Sequence, residues 1–161
     1  MSGLIFKEKQ QLLLVWVVAI IVFLVILILG FGAQGLSNEN GKKFPVFAVY
    51  FNLALIGFLF LLSYNFQIKL STEKLELKFG IGILKKSFKV SEIDRESIQI
   101  VTPSKWYGIG WRYNFNGDMI FNAKYAKAVC FKMKNKHKKY YVGADDYEKL
   151  KRELILLVPK D

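Results

Sequence analysis

The stretch from Trp106 to Gly143, WYGIGWRYNFNGDMIFNAKYAKAVCFKMKNKHKKYYVG, holds the chain's only cysteine, Cys130, and its only histidine, His137. A thiol beside an imidazole can act as an activated nucleophile, but acyl-transfer chemistry also needs a group that orients the base. Nothing around Cys130 and His137 supplies that third role, and strand alternation turns Cys130 away from Val129 and Phe131, toward partial exposure. A zinc site asks for about four well-spaced ligands, and Asp145-Asp146 reads more simply as the start of a helix. Gly108-Ile109-Gly110 is followed by no Gly-Lys-Ser/Thr and opens no helix, so it is a tight or bulged turn and not a phosphate loop. These residues predict no catalytic group, no cofactor and no metal.

Charge is the remaining chemistry. The chain carries a net charge of +11, and from Tyr64 to Asp161 there are 20 Lys and Arg against 11 Asp and Glu. Lys132, Lys134, Lys136, Lys138 and Lys139 crowd one hairpin. Such a cluster suits a phosphate-bearing surface, at about 1 kcal/mol per lysine near an anionic leaflet. Arg112 is either a fork for phosphate or an ion-pair partner of Asp94 or Glu96. Trp106, Tyr107 and Trp111 are barrel or rim packing, or rings settled at a bilayer surface. The candidate surface is therefore Lys132, Lys134, Lys136, Lys138, Lys139, Trp106 and Arg112.

The elements that would position this surface fall into two parts, residues 1–63 and 64–161. From Gln10 to Asn38 there is no charged residue, and Leu12 to Leu29 runs without a polar interruption; Phe44 to Leu62 is a second apolar run. Both reach the roughly 20 residues that a bilayer core of about 30 Å requires, so spans are expected at about 11–31 and 44–63. The first run is too long for a secretory h-region and lacks a small-residue cleavage site. The Gly, Asn and Ser residues between the runs, with Pro45 opening the second, make the two helices a hairpin. Lys7, Lys9, Lys69, Lys74 and Lys78 outnumber Lys42 and Lys43, which places both termini in the cytoplasm of a multi-pass protein of the inner membrane.

After Tyr64 the texture changes to alternation. Phe66 to Leu70, Leu75 to Phe79 and Leu84 to Val90 trade apolar and polar residues with period two, a three-stranded meander. Ser97 to Val101, Trp111 to Phe115, Met119 to Asn122, Lys127 to Met133 and Tyr140 to Val142 continue the pattern, with turns at Asn116-Gly117-Asp118 and Asn135-Lys136. Tyr147, Leu150, Leu154, Leu157 and Val158 then recur at helical spacing. The expectation is a membrane-anchored α+β chain: a transmembrane hairpin, then a β-barrel or sandwich of about seven strands capped by a C-terminal helix. Residues 64–161 are expected to bury a core of their own.

The order L-x-L-x-F-G, S-E-I-D, W-Y-G-I-G-W-R, K-A-V-C-F-K-M, K-Y-Y-V-G, D-D-Y-E-K-L after two apolar runs resembles the membrane-anchored bacterial proteins with a pleckstrin-homology-like domain. The likeness covers the chain from about Phe66 onward and departs at Asn135-Lys136-His137, where relatives carry an acidic residue and glycine. It implies a partly open barrel closed by a helix and carries over no catalytic residue. The expected function is a non-enzymatic binding or scaffolding module of an integral membrane protein. Its partners would be the bilayer, anionic headgroups in cis, or a membrane or cytoplasmic protein, with an accessory role to a membrane enzyme or transporter as an alternative. Nucleic acid is not expected, since lipid phosphate would be nearer.

Overall fold

The structure is a computed structural model and describes residues 3–12, 16–25, 46–104, 108–134 and 136–159. Among these, nine strands form two sheets. The four-stranded sheet has the order β1-β2-β3-β4, from Leu4–Gln11, Asn65–Ser71, Lys74–Phe79 and Leu84–Lys89. The five-stranded sheet has the order β5-β8-β9-β7-β6, from Ile93–Val101 (β5), Gly110–Tyr113 (β6), Met119–Asn122 (β7), Ala128–Met133 (β8) and Lys139–Gly143 (β9). Helical residues 16–25 (α1) and the helix Val46–Ser63 (α2) lie between β1 and β2, and Tyr147–Leu157 (α3) closes the chain.

Period-two alternation builds both sheets around one core. Phe66, Ile68 and Leu70 of β2 point inward with Leu75, Leu77 and Phe79 of β3, and meet Phe121, Val129 and Phe131 from the other sheet. The meander β2-β3-β4 is antiparallel throughout. A 3₁₀ turn at Val90–Glu92 carries the chain from one sheet to the other. In the second sheet β9 inserts between β8 and β7, and its pairing with β7 is parallel. Asp146 caps α3 by accepting the Lys149 N–H at 3.2 Å. Leu150 and Leu154, one helical turn apart, are fully buried in the shared core, each stabilising the fold by about 1.5–3 kcal/mol through burial alone.

Two expectations are corrected. The body is not a single barrel of about seven strands: it has two sheets, and β1 comes from ahead of the helices, with Lys9 opposite Gln67 and Lys7 opposite Lys69. Nor do the described residues ahead of β2 supply the expected transmembrane hairpin. Among the described residues no helix is long and apolar enough to cross a membrane, and with that the multi-pass inner-membrane location loses its support. The physical reason is that the sheet takes residues from the apolar runs. Leu12 is buried in the core, its N–H donating to the Tyr64 carbonyl at 3.3 Å. α2 stops at Ser63, where the chain turns into β2 at Asn65, and at 1.5 Å per residue its 18 described residues span about 27 Å. The described part of α1 spans about 15 Å. Trp16 of α1 packs edge-on against Phe60 of α2, ring centroids 4.6 Å apart. The connecting residues 26–45, Lys42, Lys43 and Pro45 among them, lie outside the described residues.

Candidate functional site

The lysine-rich hairpin is dispersed by the same alternation that folds it. Lys132 and Lys139 face each other across β8 and β9, on the side of the sheet away from the core. Acids flank them there: Asp94 of β5 lies opposite Lys132, and Asp118 accepts the Lys139 N–H at 3.0 Å. The Lys138 ammonium sits 4.4 Å above the Tyr113 ring, a cation–π contact. Lys134 and Lys136 are exposed in the bend, their N–H groups donating to the carbonyls of Glu92 and Met133. Trp106, Tyr107 and Asn135 lie outside the described residues.

Arg112 lies on β6, half-buried. Its guanidinium rests against Gly108, whose φ of 68° and missing side chain leave the space the group occupies. Asn122 clamps this turn, donating to the Gly108 carbonyl at 3.1 Å and accepting the Gly110 N–H at 2.9 Å. Gly108-Ile109-Gly110 therefore leads into a strand. Among the described residues Arg112 has no carboxylate partner; Asp94 instead accepts the Glu96 N–H at 3.1 Å. Burial lowers the Arg112 pKa from its ordinary value, and its Nε has no hydrogen-bond partner.

Cys130 faces away from the core yet is 2% exposed, not partly open to solvent. Its thiol lies between Gln99 and Tyr141, and burial pushes its pKa up. That holds it as a neutral thiol and works against nucleophilic chemistry. His137 lies ahead of β9, and Cys130 pairs with Tyr141, four residues beyond it. Among the described residues no group of three or more His, Cys, Asp or Glu side chains is placed to hold a metal ion.

A second group of lysines lies on the outer face of the four-stranded sheet. Pairing aligns Lys9, Gln67, Lys78 and Lys85 in one row across β1 to β4, and Lys7, Lys69, Glu76 and Ser87 in the next. Neighbours in a row are about 4.8 Å apart and the two rows about 7 Å apart. Glu76 is the one acid in these rows, held by Lys74 at 2.8 Å and Lys78 at 3.0 Å. Hydrogen bonds from those two ammonium groups lower its pKa to about 2. Among the described residues no carboxylate pairs with Lys7, Lys9, Lys69 or Lys85.

The first row lies at the helix end of the sheet. β1 leaves it toward α1, β2 enters it from α2, and the β3–β4 turn docks there, with the Ile81 N–H donating to the Leu61 carbonyl at 3.1 Å. Ile81 and Ile83 of that turn are exposed. The sequence presents Lys7, Lys9, Lys69 and Lys78 as flanks of the apolar runs and Lys85 as a polar position of the third meander strand. The available signal was the alternation of Lys7 and Lys9 about Glu8, but LIFKEKQQ offers too few apolar positions to announce a strand.

No family model, curated protein or solved structure matches the chain, so the likeness to the pleckstrin-homology-like proteins rests on its motifs alone.

Proposed function

We propose that the chain is a non-catalytic binding module whose ligand is an anionic lipid surface. The observation that carries this reading is the meeting of two surfaces at one end of the body. There α1 and α2 expose Val18, Ile21, Phe23, Phe58 and Leu61, each about half accessible, and next to them stand the lysine rows. So many exposed large apolar side chains on two neighbouring helices are costly in water and point to an interaction site. Lipid offers both halves of the complement, acyl chains for the side chains and anionic headgroups for the lysines. The net charge of +11 supports the same partner through long-range attraction.

Flotation of the full-length protein with neutral and with phosphatidylglycerol-containing vesicles tests the reading. Binding confined to the anionic vesicles and weakened by salt is expected, because a lysine field is screened beyond a Debye length. Failure to bind either kind, or equal binding to both at every salt concentration, would overturn it.

A further inference from the structure

We infer that the membrane-facing surface is the outer face of the four-stranded sheet at its helix end, centred on Lys9 and Lys85, and not the lysine-rich hairpin of β8 and β9. The inference rests on the lipid reading and assigns it a surface. Three observations carry it. Lys9 and Lys85 are exposed and fall in the same transverse row, on the two outer strands of the sheet. Lys7 and Lys69 in the next row add two further ammonium groups, and the one acid in the rows, Glu76, is paired with Lys74 and Lys78. The row is also continuous with apolar surface: Leu84 precedes Lys85 in β4, and the exposed Ile81 and Ile83 belong to the turn that docks on α2.

The hairpin has exposed rings of its own, Tyr113 beneath Lys138 and Phe115 two residues on, but acids lie among its lysines. Lys132 and Lys139 stand in a row with Asp94 and Asp118 beside them, so the potential over that face partly cancels. A planar array of unpaired ammonium groups bordering apolar side chains matches a bilayer surface, where headgroup charge lies over hydrocarbon. A nucleic acid offers phosphate without the hydrocarbon, which leaves the apolar border without a partner.

Two full-length variants of equal net charge separate the surfaces: Lys9→Glu with Lys85→Glu on the sheet, and Lys134→Glu with Lys136→Glu on the hairpin. All four side chains are exposed, so both variants are expected to keep the wild-type thermal midpoint, checked by circular dichroism. Each lysine near an anionic leaflet contributes about fivefold in affinity. The sheet variant is therefore expected to bind phosphatidylglycerol-containing vesicles at least about tenfold more weakly than wild type, and the hairpin variant to lose markedly less. A hairpin variant that loses as much as the sheet variant, or more, overturns the inference while leaving the lipid reading intact. Wild-type protein that floats with no vesicle ends the lipid reading and the inference with it. A sheet variant that keeps its vesicle binding but loses binding to a duplex oligonucleotide overturns the inference in favour of nucleic acid.

Discussion

A chain lacking residues 1–11 is expected not to fold, although the deletion leaves eight of the nine described strands. β1 is hydrogen-bonded along the length of β2, and without it β2 becomes an open edge. Phe6 is 5% exposed in the shared core, and truncating a buried phenylalanine costs about 3–5 kcal/mol. Glu8 accepts the N–H groups of Asp145 and Asp146 at 2.8 and 3.1 Å, just ahead of α3, and so tethers the helix start. Capping interactions of this sort contribute about 1 kcal/mol. Buried Gln10 donates to the Gly143 carbonyl at 3.2 Å and to Glu8. Together these losses approach the whole stability of a small domain, about 5–15 kcal/mol. A fragment beginning at Tyr64 lacks the same strand and carries the same expectation, in place of the self-contained core expected from its sequence, because β1 and Phe6 belong to that core. Phe6→Ala in the full chain is the milder form, with a loss of about 3–5 kcal/mol in chemical denaturation. A truncated chain with the wild-type unfolding midpoint would show that β1 is only an ornament of the sheet.

The second large effect is expected at Phe88. This β4 side chain is the four-stranded sheet's contribution to an aromatic cluster on the opposite sheet. Its ring lies 4.8 Å from Tyr140, 5.3 Å from Phe131 and 6.1 Å from Phe121, edge-on in each case. Phe88→Ala removes the wedge between the sheets and leaves a cavity that rigid neighbours fill poorly. About 3–5 kcal/mol of stability is at stake, part of it from aromatic pairs worth about 0.5–1.5 kcal/mol each. Phe88→Leu keeps much of the volume and is expected to recover a large part of the loss. Denaturant unfolding of the two variants beside wild type reads the difference. A cost below about 0.5 kcal/mol for Phe88→Ala, the level of a surface change, would mean that the sheets are joined elsewhere.

What the sequence made legible was local. Alternation in FQIKL and LELKF predicts β2 and β3, because each strand buries one face and carries its own record of it. Asn116-Gly117 predicts the β6–β7 turn: Gly117 has a φ of 78°, and the Asn114 side chain accepts the Asn116 and Asp118 N–H groups. The acid-first charge order and the Leu150–Leu154 spacing predict α3. What escaped was non-local. β1 shows few apolar positions because much of its inward face, Glu8 and Gln10, is polar and satisfied by residues 133 or more positions away. The parallel pairing of β7 with β9 has no local signature, since it depends on a crossover.

The same distinction separates the two lysine clusters. Lys132 to Lys139 are close in sequence, and the pleat spreads them over different faces, with acids brought in from β5 and the β6–β7 turn. Lys9 and Lys85 are far apart in sequence, and two intervening strands bring them into one row. Hydropathy misled for a related reason. It counts apolar residues along a run but does not register that Leu12 belongs to the sheet's core, or that α2 must end where β2 begins.

The most direct test of the account asks which end of the body meets lipid. Cys130 is buried, so an added exposed cysteine can be labelled selectively with an environment-sensitive fluorophore. Ile83→Cys places the label at the helix end of the four-stranded sheet, and Thr72→Cys places it in the β2–β3 turn at the opposite end. On adding phosphatidylglycerol-containing vesicles to the full-length proteins, the label at residue 83 is predicted to shift to the blue while the label at residue 72 keeps its aqueous spectrum. A shift at residue 72 alone, or at neither position, would contradict the account.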